Sequence, residues 1–193
     1  LLALIVRILT VIFVGKIPCM EPTYLQLGED IFFDRVEVIG YSPFYSVVIY
    51  FLTNITGDLF KASATVYIFG GIIINLYIFL IGKLIYDETT ARIALLVSMV
   101  FPCISIAVVG YSHSVILAAA FEIMAVYYFL LFLKDKKIFF AFLVISLTIL
   151  SIMTRAEVLI VVVPFIFIVS LLRLYEKNVG FCGEHRFQEN NIP

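Results

Sequence analysis

Residues 62–86 read ASATVYIFGGIIINLYIFLIGKLIY, with one charged residue, Lys83, close to the end. At about 1.5 Å per residue, an α-helix of this length exceeds the roughly 30 Å hydrocarbon core of a bilayer. Outward from it the same reading repeats. Residues 92–110 form a second apolar stretch, interrupted by Pro102, and 115–133 a third, with Glu122 as its one carboxylate. Residues 138–153 and 157–174 follow, the latter holding Pro164. Upstream, Leu1–Val14 is apolar apart from Arg7 and Thr10. Its length gives about 21 Å of helix, short of a crossing, and no small-residue cleavage site follows Val14. It is expected to be the remainder of a first span that begins upstream, so that the chain reads as a fragment.

Composition agrees with this reading. Of 193 residues, 63% are hydrophobic and 14% charged, and mean hydropathy is +1.13. Soluble domains carry about 45–50% apolar and about 25% charged residues, so this excess cannot be hidden in a water-soluble core. A water-soluble enzyme and a disordered tail are excluded. A net charge of −1 gives no basic footprint for nucleic acid. Cys19, Cys103 and Cys182 lie far apart without metal-ligand spacing and read as packing residues. Trp is absent, so an interfacial aromatic belt must come from the 11 Tyr and 19 Phe. The expected fold class is all-α: a polytopic transmembrane helical bundle of about six spans plus a juxtamembrane helix. Residues 1–174 form this domain and 175–193 a polar cytoplasmic tail, in a multi-pass protein of a cell membrane or an ER-type membrane.

The loops orient the bundle. Loops 87–91 and 134–137 and the segment after 174 are separated by pairs of spans, so all three share a side. Lys83, Arg92, Lys134, Lys136, Lys137, Arg173 and Lys177 gather there, which makes that side cytoplasmic by the positive-inside rule. The turns at 111–114 and 154–156 then face outward. Residues 42–56 (SPFYSVVIYFLTNIT) are short for a span, open at Pro43 and contain Thr53, Asn54 and Thr56. They read as a juxtamembrane helix, which puts loop 15–41 outside.

That loop (GKIPCMEPTYLQLGEDIFFDRVEVIG from Gly15 on) carries Lys16 and Arg35 against Glu21, Glu29, Asp30, Asp34 and Glu37. Loops this long are uncommon unless functional or disordered, and the apolar interleaving from Tyr24 to Val38 argues against disorder. Residues 23–34 fit a short amphipathic helix at the membrane surface. A carboxylate held there has the chemistry of a general base toward a hydroxyl or amine; a solvated acidic loop is the plainer alternative.

The order of short motifs resembles a known family. Glu21-Pro22-Thr23-Tyr24 is followed by Leu27-Gly28, by Tyr41-Ser42-Pro43-Phe44-Tyr45, by a Gly57-Asp58 turn, and by a long span ending in GKLIYDETTAR. This is similar to the N-terminal half of GT-C glycosyltransferases, in the style of the dolichyl-phosphate-mannose–protein mannosyltransferase and lipid A aminoarabinose transferase group. Thr154-Arg155-Ala156-Glu157 resembles the family's Thr-Arg step at the external end of a later span. The resemblance covers about residues 1–174 and rests on pattern order. It implies inverting transfer of a sugar from a polyprenyl-phosphate carrier to a glycan, lipid or protein acceptor, with the lipid-linked sugar as donor and no separate cofactor. Glu21 matches the second acid of the family's D-E-x-x-Y motif and Tyr24 its tyrosine, while Met20 stands where the leading Asp is expected. The catalytic carboxylate is therefore Glu21, or Glu29 or Asp30, or is lacking here.

A leaving phosphate needs cationic or hydrogen-bonding neighbours. Arg155, at a span boundary, leads the external candidates, followed by His113, Lys61 and Arg35, with Tyr41 as a further substrate contact. A snorkelling arginine paired with Glu157, and a plain loop histidine, are the structural alternatives. Glu122 lies mid-span, where a charge costs about 2.5–3.5 kcal/mol on insertion scales, so it faces protein or a cavity or carries a proton. Asn75 and Gly70-Gly71 read as helix-packing features. Asn54-Ile55-Thr56 is a glycosylation sequon by pattern only. No P-loop, GxGxxG or DxD motif supports a nucleotide sugar, and the adjacent Glu29 and Asp30 are the sole hint of a divalent ion. The competing functions are an envelope lipid or polysaccharide transporter or polymerase, and a non-catalytic membrane protein.

Overall fold

A computed structural model describes residues 2–14, 21–33, 43–100 and 114–160. The chain forms two compact units, Leu1–Ala156 and Glu157–Pro193; the helices below belong to the first. Among the described residues these are α1 (Leu2–Val14), α2 (Glu21–Phe32), α3 (Pro43–Thr56), α4 (Leu59–Ile85), α5 (Glu88–Val100), α6 (Ser114–Asp135) and α7 (Ile138–Thr154), with no strand. The all-α expectation therefore holds. Two of these helices, α4 and α6, are long and apolar enough to cross a membrane, and α3 and α7 are shorter apolar helices. Of the expected span 92–110 the structure describes the part up to Val100, and of 157–174 only the first four residues.

Local signals set the boundaries. Gly57 takes φ +68, a left-handed conformation that glycine adopts without steric cost, and its N–H closes α3 on Thr53 O at 2.8 Å. Asp58 then caps α4, accepting from Phe60 N at 2.7 Å and Lys61 N at 3.4 Å. Asp87 does the same for α5 through Thr90 N at 3.0 Å. Each carboxylate satisfies N–H groups that the first helical turn leaves without intrahelical partners.

The packing register gives the topology. α4 and α5 are antiparallel: a Cβ on Gly82 would lie 2.9 Å from Ala91 Cα, and one heptad away on both helices Ser98 Oγ donates to Asn75 Oδ1 at 3.0 Å. α6 and α7 are antiparallel too, since Ser151 Oγ donates to Ala118 O at 3.0 Å while Tyr128 stacks on Phe140. α4 and α6 run in the same sense: Gly70 meets Ile116, and further along Tyr77 meets Tyr127 and Tyr128. The turns after α4 and α6 therefore share one end of the unit. Lys83, Asp87, Glu88, Arg92, Lys134, Asp135, Lys136 and Lys137 are exposed there.

The opposite end holds the start of α4, the start of α6, the end of α7, and the α2–α3 pair. α3 folds back on α4 and also touches α7. Between the two ends the core is formed by Tyr67, Ile74, Ile116 and Ala120. Outward faces are apolar as well. On α7, Ile138, Phe142, Ile145, Ile149 and Met153 are exposed at helical spacing, and on α5 Ile93, Leu96 and Val97. Apolar area on this scale is unusual on a protein surrounded by water.

Candidate functional site

Glu21 opens α2 at the end of the unit where α4 and α6 begin. The helix starts two residues earlier than the amphipathic pattern places it, within the ordinary scatter of helix boundaries. An acidic first residue suits the positive end of the helix dipole. The side chain is not solvated as an acidic loop would have it: Glu21 is 0% exposed. The Tyr45 hydroxyl donates toward both carboxylate oxygens, at 2.7 Å to Oε1 and 2.8 Å to Oε2.

Tyr45 lies on α3 and is itself fully buried. It forms a cluster with Tyr24, Ile49 and Val66, bordered by Leu25, Leu59 and Leu117. The Tyr24 ring meets it edge-on, with centroids 5.0 Å apart and planes at 86°, a favoured arrangement for aromatic pairs. Burial pushes the Tyr45 phenol well above its ordinary pKa, and the negative charge of Glu21 pushes it further. Tyr45 therefore keeps its proton and acts as a donor. The ring carries no charge into the apolar cluster, while its hydroxyl satisfies a carboxylate that would be costly to bury alone.

Close approach of α2 to α3 depends on Gly28. A Cβ there would lie 2.7 Å from Tyr50 Cβ and would also collide with the Ser46 carbonyl oxygen. Contacts advance along both helices together, from Glu21–Tyr45 to Gly28–Tyr50 to Phe32–Tyr50, the last with ring centroids at 4.8 Å. The two helices thus lie side by side in the same sense.

The other predicted residues fall as follows. Tyr24 is buried against Tyr45. Glu29 is exposed and Asp30 half-buried, more than two turns along α2 from Glu21, so the three acids form no common cluster. Arg155 is half-buried and closes α7, its backbone N–H donating to Ser151 O at 2.8 Å. It lies at the same end of the unit as Glu21. Lys61 is exposed on the first turn of α4. Tyr41, His113 and Arg35 lie outside the described residues. Glu122 is half-buried on α6. Asn75 is the interhelical link expected of it, and Gly70 admits Ile116, whose Cγ2 would lie 2.6 Å from an added Cβ. Among the described residues no group of three or more His, Cys, Asp or Glu could hold a metal ion.

Two residues escape the sequence reading. Tyr45 stands in the quoted Y-S-P-F-Y motif, but nothing in the motif says that its hydroxyl meets Glu21 across 24 positions. Arg7 is the other: it is 0% exposed, donates from Nη1 to the Tyr67 hydroxyl at 3.1 Å, and sits over that ring with Cζ 5.2 Å from the centroid. Its guanidinium occupies the space that a Cβ on Gly71 would need, 2.6 Å from Nε. The signal was present as an arginine within an apolar helix and a paired glycine on another. Arg7 and Glu21 are the fully buried charged residues among those described, and their surroundings meet on α4 at the adjacent Val66 and Tyr67. Comparison of the chain with protein-family models, with curated proteins and with solved structures finds no match.

Proposed function

We propose that the chain is an integral, multi-pass membrane glycosyltransferase, or a portion of one, with about six spans. It transfers a sugar from a polyprenyl-phosphate carrier to an acceptor on the non-cytoplasmic face. The observation that carries this reading is the Glu21 carboxylate, fully buried and oriented by Tyr45 at the end of two helices of membrane-spanning length. In the transfer, Glu21 accepts the proton of the acceptor hydroxyl as that oxygen bonds to the sugar's anomeric carbon. The bond from that carbon to the carrier phosphate breaks, the electron pair leaves with the phosphate, and the anomeric centre inverts. Arg155, at the same end, is the cation assigned to the leaving phosphate. The motif order from Glu21 to Arg155 supports the donor class, and the clustering of lysines at the opposite end supports the orientation.

A non-catalytic role is the second reading, favoured by the complete burial of Glu21, which also suits a structural clamp. Transfer from a radiolabelled polyprenyl-phosphate sugar, measured in membranes containing the protein, separates the two. Glu21→Gln is expected to lower transfer about 10²–10⁴-fold, the usual contribution of a general base, and Arg155→Ala to lower it as well. Transfer unchanged in both variants removes these assignments, and no transfer from any such donor favours the clamp.

A further inference from the structure

We infer that the α6–α7 turn is a binding surface for anionic phospholipid headgroups, with Lys134, Lys136 and Lys137 as the contacts. This rests on the membrane placement proposed above and not on the transferase activity. In the sequence, every cation at this end of the unit counts alike. The structure divides them between two turns. At the α4–α5 turn, Glu88 bridges Arg92 and, at 3.8 Å, Lys83. Asp87 stands beside them and caps α5 through Thr90 N. The hydrogen bond from Arg92 holds the Glu88 carboxyl below the ordinary carboxylate range, and those from Thr90 do the same for Asp87. Both acids stay ionised, so two cations meet two anions and this turn presents little net field.

The α6–α7 turn has no such balance. Three lysines stand within residues 134–137 against Asp135, and all four side chains are exposed. Among the described residues none of these lysines takes part in an ion pair. Lys136 and Lys137 alone separate the two helices, and Lys136 reverses the chain at φ +55. Ile138 and Phe139 follow directly and are 86% and 62% exposed. Large apolar side chains this open, next to lysines, suit a bilayer surface. The apolar groups enter the acyl region, while the lysine stems lie along it and carry their ammonium groups to the phosphate layer. An acidic protein segment would match the lysines alone. The turn is also held in shape. Phe139 meets Phe140 with centroids 6.1 Å apart, Phe140 stacks on Tyr128 at 6.2 Å, and the Tyr128 hydroxyl lies 3.3 Å from that of Tyr77 on α4. This aromatic chain ties the first turn of α7 to α6 and α4, so less freedom is lost when a headgroup docks.

The test uses the full chain in a neutral detergent, titrated with phosphatidylglycerol or with phosphatidylcholine of the same acyl chains. Bound lipid is counted by native mass spectrometry. One variant combines Lys134→Gln, Lys136→Asn and Lys137→Gln, with asparagine chosen because it accepts a positive φ more readily than most residues. The other, Glu88→Gln with Arg92→Gln, removes a paired cation together with its anion. Wild type is expected to bind phosphatidylglycerol the more tightly. Its Kd should rise about fivefold for each lysine removed, and stay within about twofold of wild type in the Glu88–Arg92 variant. Phosphatidylglycerol with a photoreactive headgroup should mark the wild-type peptide that carries residues 134–139, a result that needs no variant. Equal affinity for the two lipids overturns the inference, as do an unchanged Kd in the lysine variant, an equal loss in both variants, or marking elsewhere in the chain. Such results leave the lysines to an acidic protein. Resistance of the chain to alkaline extraction from membranes is measured alongside. A chain that is extracted overturns the membrane placement and this inference with it, whereas one that is retained keeps the placement whatever the lipid titration shows.

Discussion

Replacing Gly28 by alanine should separate α2 from α3 and release Glu21. The added Cβ would stand 2.7 Å from Tyr50 Cβ and collide with the Ser46 carbonyl. Ordinary carbon–carbon contact is about 3.5–4.0 Å, so one helix must move by roughly 1 Å. Neither obstacle is the far end of a flexible side chain; both are tied to the α3 backbone, and relief requires a shift of the helix. Overpacking of this kind costs about 1–3 kcal/mol. The same shift stretches the Tyr45 bonds to Glu21 at 2.7 and 2.8 Å, and hydrogen bonds to a charged group are worth about 1.5–3 kcal/mol. Against this stands the gain of about 1 kcal/mol from alanine's better helix propensity. The net expected loss is about 1.5–5 kcal/mol.

Denaturation of the purified protein in mixed micelles, followed by circular dichroism, reads the stability. Labelling with a water-soluble carbodiimide, read by mass spectrometry at Glu21, reads the release of the carboxylate. Gly57→Ala is the control: nothing lies within 4 Å of its added Cβ, and its φ of +68 alone is strained, at about 1–2 kcal/mol. Gly57→Ala should therefore lose stability without exposing Glu21. If Gly28→Ala is as stable as wild type, or more so, and Glu21 stays unlabelled, the close helix contact argued from Gly28 is wrong.

Other perturbations follow from the same geometry. Gly71→Ala should cost about 1–3 kcal/mol by overpacking, because the new Cβ takes the place of the buried Arg7 guanidinium; in an Arg7→Met background that cost should vanish, and an additive double variant would disprove the contact. Ser98→Ala should cost about 0.6–1.7 kcal/mol, the range of interhelical hydrogen bonds in membranes, as it removes the donor to Asn75 while Asn75 Nδ2 already has no partner among the described residues. The double variant Asn75→Leu with Ser98→Ala should be nearly neutral in the same denaturation assay. Tyr45 has a folded pKa above its unfolded value of 10.0, so its contribution is complete below about pH 10 and is lost at higher pH, where only the unfolded state gives up the proton. A denaturation series from about pH 8 to 11 should therefore fall more steeply for wild type than for Tyr45→Phe, and parallel curves would contradict the burial of the hydroxyl.

How much of this could be read from the sequence depends on the range of each interaction. Helices α3, α4, α6 and α7 follow from apolar runs and short punctuation such as Gly57-Asp58, because helical hydrogen bonds are local and their caps lie within a few residues. The shared end of α4 and α6 follows from counting crossings between basic loops. Glu21 and Tyr24 stood out as candidates through the resemblance of Glu21-Pro22-Thr23-Tyr24 to the D-E-x-x-Y motif. The burial of Glu21 was not legible. Whether a carboxylate at a helix start meets water or a phenol depends on a second helix, which Gly28 admits and which carries Tyr45. Gly28 reads as a weak helix residue until its neighbour is known.

Arg7 teaches the same lesson from the opposite sign. Within its own helix it reads as an interruption, since a lone cation in an apolar run has nothing local to bind. Its partners, Tyr67 and Gly71, are one helical turn apart on α4, so they present an aromatic face and a gap on the same side. That pairing of a gap with a ring is visible in the sequence once an arginine is being sought for it. In both cases a glycine leaves room, at Gly28 for the neighbouring helix and at Gly71 for the guanidinium itself, and a tyrosine hydroxyl meets the charge. The same two residue types thus bury one cation and one anion against neighbouring stretches of α3 and α4, where hydrophobicity alone would exclude both. A helical unit that hides both charges behind tyrosines must hold α1 and α2 in register with α3 and α4, so loss of either contact should weaken the other. A double-mutant cycle of Tyr45→Phe and Tyr67→Phe in the denaturation assay is therefore expected to be non-additive by about 0.5 kcal/mol or more, and strict additivity would show the two pockets to be independent.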